Sequence, residues 1–193
     1  MSVAELAILK RVNADNWAAL YRCRWSASDA QELVPQLQKL LESDDPLIIN
    51  EALRALFRIG TPAVSAAPEV AFLTRSQDPL TKQLAVLTLG QIAHSVPSLC
   101  VESLAVALAD PLCCRDAMRS LAFIGPKAIG AIDRVLNRFR DSDAKIRKGA
   151  LVTATAIDAE HPAVAELIND ALSDRSKIVR DAAAKLKNES KYG

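Results

Sequence analysis

The chain has 193 residues, half of them hydrophobic but only 4% aromatic, and its 24 basic and 23 acidic side chains leave a formal net charge of +1. That balance excludes a global basic excess of the kind that draws nucleic acid or acidic membranes, and no apolar run approaches the ~20 residues of a membrane span. Four cysteines make no disulfide framework, so the expected compartment is the cytoplasm. The opening MSVAELAILKRVNADNW has Glu5 inside its apolar part and no small-residue cleavage site, and it reads as mature protein and not as a signal peptide.

The apolar residues fall at helical spacing and no segment alternates with period two, so the elements are all helices and no sheet is expected. In chain order they are 2–12 and 14–27, 30–43 and 45–60, 63–76 and 78–94, 98–109 and 110–124, 127–140 and 143–158, and 162–173 and 174–189. The second member of each pair repeats. DPLIINEALRALFRIG begins at 45, DPLTKQLAVLTLGQIA at 78, DPLCCRDAMRSLAFIG at 110 and DAKIRKGALVTATAID at 143, with a looser copy from Ser176, a period of 32 or 33 residues. Self-similarity at this period marks stacked supersecondary units. The expectation is one all-α domain of six helical hairpins and about twelve helices, with repeats at 2–28, 29–60, 61–94, 95–125, 126–158 and 159–189.

Positions within a unit can be counted as offsets from those starts. Offset 0 holds Asp45, Asp78, Asp110, Asp143 and Ser176, all good helix N-caps. Offset 1 holds Pro46, Pro79 and Pro111, where the missing N–H costs nothing. Offset 7 is always alanine (Ala52, Ala85, Ala117, Ala150 and Ala183), which predicts close helix–helix approach. Offsets 3, 7, 11 and 14 share one face and form the expected core stripe. Gly60, Gly90 and Gly125, with prolines soon after, supply the stop signals. Ala19 lies 33 residues before Ala52, which carries the register back to the first hairpin.

Candidate chemistry is sparse. Cys113, at offset 3, shares a mostly β-branched and apolar place with Ile48, Thr81, Ile146 and Val179 and is expected to be a small buried hydrophobe. Cys114, at offset 4, shares a largely polar place with Ile49, Lys82, Arg147 and Arg180; it is expected to be the more exposed of the two and the candidate reactive thiol. Cys-x-x-Cys is absent, so no metal site and no cofactor are expected. His94 and His161 fall at helix junctions in different units, and neither a Gly-rich phosphate loop nor G-x-S-x-G occurs. The chain is read as non-catalytic.

Offsets 5 and 9 lie off the core stripe and define a second-helix face, on which Asn50 also falls at offset 5 and is expected at the surface. There stand Arg54, Arg115, Arg119 and Lys148, and in the first unit the aromatic pair Trp17 and Tyr21. Tryptophan, tyrosine and arginine are the residues most enriched in interface hot spots, so these six are the candidate partner-binding residues. The six second helices together carry +4, which favours a protein partner with an acidic surface.

DPLIINEALRALFRIG and DPLCCRDAMRSLAFIG, each followed by a Pro- and Ala-containing helix (TPAVSAAPEV and PKAIGAIDRV), resemble HEAT repeats of the bacterial type also found in phycobilin lyases. The resemblance covers residues 30–187, and 2–29 more loosely. It implies an α–α superhelix, a HEAT-like solenoid that works as a protein-interaction scaffold or adaptor along the concave surface lined by second helices. It also implies a ladder of Asp and Arg six residues apart, met here by Asp141 with Arg147 and by Asp174 with Arg180, whereas Ser43, Ser76 and Leu108 stand at the earlier Asp positions. Two other functions come with it. HEAT-like alkylpurine DNA glycosylases hold DNA on such a surface, and Trp17, Tyr21 and Trp25 invite that comparison; a phycobilin-lyase-like subunit is the other. The His-Glu dipeptides of HEAT-like deoxyhypusine hydroxylases are missing, since Ser95 follows His94 and Pro162 follows His161.

Overall fold

The structure, a computed structural model, describes residues 27–93 and 97–189, and every regular element among them is helical. Trp17, Tyr21, Cys23, Trp25 and His94 lie outside the described residues. The chain divides into two compact units, residues 1–95 and 96–193, and the division falls at the boundary between the third and fourth expected repeats.

In the first unit, α1 (Ala27–Leu40) packs on α2 (Pro46–Ile59), and α2 on α4 (Pro79–Ile92); a 3-10 stretch (Thr61–Ala66) and the short α3 (Ala67–Leu73) run between them. Asp45 caps α2 by accepting from the Leu47 N–H at 2.9 Å, and Asp78 caps α4 by accepting from the Thr81 N–H at 2.7 Å. Both helices start on their proline. α2 stops at Gly60, whose φ of 71° a side-chain-bearing residue would adopt only under strain.

In the second unit, α5 (Pro97–Ala107) packs on α6 (Cys114–Ile124), α6 on α8 (Ala144–Ile157), and α8 on α10 (Lys177–Glu189), with α7 (Ile132–Asn137) and α9 (Pro162–Ala171) between them. Asp143 caps α8 through the Lys145 N–H, and His161 caps α9 by accepting at Nδ1 from the Ala163 N–H. His161 is thereby a helix cap.

The expected count of about twelve helices is not matched among the described residues. Two of the expected first helices break up. Residues 63–76 split into the 3-10 stretch and α3, because Pro68 has no N–H to give the Val64 carbonyl four residues back. Residues 127–140 split into 3-10 segments (Gly125–Ala131 and Arg138–Arg140) flanking α7, with Pro126 and Gly130 in the first of them.

The alanine register holds in both units. Ala52, Ala85, Ala117, Ala150 and Ala183 are all buried, as are the offset-11 residues Leu56, Leu89, Leu121 and Ala154 and the offset-14 isoleucines 59, 92, 124 and 157. An alanine lets neighbouring second helices approach closely, and leucine and isoleucine a turn further on fill the space beside it. Buried hydroxyls reinforce the same contact. Thr88 Oγ1 donates to the Leu53 carbonyl in unit one, and Thr153 Oγ1 to the Met118 carbonyl in unit two, each from offset 10 to offset 8 of the preceding second helix.

The Arg–Asp ladder is confined to the C-terminal end. The Arg147 guanidinium meets the Asp174 carboxylate through two hydrogen bonds of 2.8 Å, while its Nη1 donates to the carbonyls of Asp141 and Ser142. Arg180 donates to the Asp174 carbonyl. In the earlier units Ser43 and Ser76 accept the Asp45 and Asp78 N–H groups, as Asp141 and Asp174 accept those of Asp143 and Ser176. Serine thus performs the turn-forming half of the aspartate's role without an arginine partner.

Candidate binding face

The second-helix face can be built within each unit. Along a helix, offsets 2, 5 and 9 fall on one side, with 12 and 13 continuing it. In the first unit that side carries Leu47, which is 71% exposed, Leu80, Arg54 and Phe57. Arg54 Nε lies 3.9 Å from Glu51 Oε1. Burial pushes the Glu51 carboxyl above its usual range, and the Arg54 charge only partly offsets this. Asn50, read from its offset as a surface residue, is instead buried. Its Oδ1 accepts from Thr81 Oγ1 at 2.8 Å, because α2 and α4 pack against each other there.

In the second unit the side is more polar and more cationic. α6 presents Leu112 just before its start, then Arg115, Arg119 and Phe123, all exposed; α8 presents Lys145, Lys148 and Val152, exposed as well. Arg119 reaches Asp116 at 3.4 Å. Arg115, Lys145 and Lys148 have no ion-pair partner among the described residues. Of the six candidate residues, the structure therefore places Arg115, Arg119 and Lys148 on neighbouring, packed helices of one unit and Arg54 half-buried in the other. Trp17 and Tyr21 lie outside the described residues.

The exposed apolar side chains were not singled out by sequence. A signal existed: offset 2 is off the core stripe, yet it holds Leu47, Leu80, Leu112 and Ile178, all exposed.

The expectation for Cys114 is corrected. Cys100, Cys113 and Cys114 are free thiols and all are fully buried. Offset 4 reads as polar because Lys82, Arg147 and Arg180 occupy it, but its exposure varies along the chain: Arg180 is exposed, Ile49 and Lys82 are half-buried, and Arg147 is buried like Cys114. At Cys114 the place of the missing ladder arginine is taken by Arg138, which pairs with Asp141 and sets its charge near the thiol. Burial pushes the Cys114 thiol above its usual value, with Arg138 drawing it part of the way back, so it is no activated nucleophile. Among the described residues no cluster of three or more His, Cys, Asp or Glu could hold a metal ion, and no helix is long and apolar enough to cross a membrane.

No family model matches the chain, and no curated protein matches it in sequence. Among solved structures, an engineered protein is similar at a TM-score of 0.66 and 23% identity, covering 100% of this chain and 98% of that one. A designed armadillo repeat protein in complex with the peptide (KR)4 is similar at a TM-score of 0.67 and 15% identity, covering 97% and 99%. The complex of CpcE and CpcF of phycocyanin lyase from a Nostoc species is similar at 0.59 and 19%, covering 81% and 99%. At these identities the likeness shows the fold: an all-helical repeat protein of the HEAT and armadillo kind.

Proposed function

We propose that the protein is a non-catalytic binding scaffold that takes a segment of a partner protein on its second-helix face. The observation that carries this reading is the set of exposed apolar and cationic side chains at offsets 2, 5 and 9, outside the packed stripe, on helices that the buried alanines hold close together. Neighbouring second helices then present anchors at a regular spacing, and specificity lies in the surface residues that the repeat leaves free. The likeness to a designed repeat protein in complex with a peptide supports this reading. Free thiols, two of them adjacent, fit a reducing compartment such as the cytoplasm. The likeness to the phycocyanin lyase subunits carries the fold and not the lyase chemistry.

Selection of binders from a random peptide library on the immobilised full chain tests this. Selected peptides should lose binding to Arg119→Glu and keep it with Ile129→Glu, a change at an exposed position of a first-helix segment. Binding indifferent to Arg119→Glu would remove the face.

A further inference from the structure

Resting on that reading, we infer that the second unit's face takes an extended acidic peptide that also carries apolar side chains, and that it discriminates by charge. α6 and α8 pack side by side and place Arg115 and Arg119 beside Lys145 and Lys148. Arg119 has Asp116 beside it; the other three cations have no ion-pair partner among the described residues, so their charge is open to an incoming acid. Apolar anchors flank them. Phe123 is 62% exposed one helical turn beyond Arg119, and Val152 is 40% exposed one turn beyond Lys148. The first unit differs: its corresponding positions hold a buried Asn50, Arg54 with Glu51 nearby, the glutamine Gln83 and the half-buried Leu87. The cationic character therefore belongs to the second unit.

Geometry sets the register. Packed helix axes lie about 8–10 Å apart, and an extended chain advances about 3.3–3.6 Å per residue. A peptide crossing α6 and α8 thus moves from one helix to the next in about three residues. Acids at that spacing meet Arg115 and then Lys148, and an apolar residue between them reaches Val152, one helical turn beyond Lys148.

The test uses the full chain and fluorescence anisotropy. The probes are a labelled (Glu-Glu-Leu)4 peptide, its (Lys-Lys-Leu)4 and (Ser-Ser-Leu)4 counterparts, and a single-stranded oligothymidylate of similar length. Only the Glu-rich peptide should bind. Binding should weaken with added salt, and Arg115→Glu with Lys148→Glu should cost about tenfold or more and let the Lys-rich peptide bind. Circular dichroism of the double variant confirms its fold, and Arg115→Gln with Lys148→Gln serves as the milder substitute should it fail. Preference for the Lys- or Ser-rich peptide, with the library binders still lost on Arg119→Glu, would overturn the acidic preference and leave the binding face standing. Equal capture of the oligonucleotide would overturn a peptide-specific site in favour of a general polyanion surface. Library binders indifferent to Arg119→Glu would sink both readings.

Discussion

Arg147 on α8 grips Asp174, which lies just ahead of α10, with two hydrogen bonds of 2.8 Å, and both side chains are more than nine-tenths buried. The pair ties one repeat to the next, and Arg147's remaining donors close the turn at Asp141 and Ser142. Removing one member leaves the other charge buried without its partner. Arg147→Met should therefore cost about 3–5 kcal/mol, read as a fall in the denaturation midpoint, whereas Arg140→Met, at an exposed position, should be nearly neutral.

The same pair gives a pH dependence. Hydrogen bonds from Arg147 hold the Asp174 carboxyl at about 2, below its ordinary 3.8. A depressed carboxyl contributes stability that is fully present above the ordinary value and is lost as pH falls through the folded one. Chemical denaturation between about pH 4 and pH 2 should show that loss in the native chain and a shallower one in Asp174→Asn.

Cys100 acts at the other end of the pH scale. Burial pushes its thiol up to about 11 from 9.0. Its contribution is whole below 9.0 and is lost as pH rises towards 11, so Cys100→Ala should flatten the alkaline fall in stability. In a Cys23→Ser background the three buried thiols should resist a thiol reagent at neutral pH until denaturant is added; prompt labelling of Cys114 would contradict its burial.

Arg138 stands in for the arginine that offset 4 lacks at Cys114. Arg138→Met should cost up to about 1 kcal/mol in the native chain, and less when Cys114→Arg supplies a guanidinium from the helix side. A double-mutant cycle on denaturant midpoints measures this coupling, and strict additivity would argue against the substitution of roles.

The repeat register was legible because small residues at helical spacing admit few explanations. Five alanines one period apart predicted a buried, close-packed face, and all five are buried. Offset 4 was misread because charge on Lys82 and Arg147 signals solvent, while the partner that lets Arg147 be buried, Asp174, sits 27 residues away in the next unit. Asn50 was misread for the same reason, its partner Thr81 lying 31 residues on. The exposed Phe123 and Leu112 went unnoticed because residue type alone assigns them to the core, and only the helical position separates inside from outside.

The binding face is tested most directly by amine acylation of the full chain with and without a bound library-selected peptide, read by mass spectrometry. Lys148 lies on the second-helix face and Lys127 on a first-helix segment, and both are exposed. The peptide should shield Lys148 several-fold and leave Lys127 unchanged; protection of Lys127 alone, or of neither, would contradict the assignment of the face.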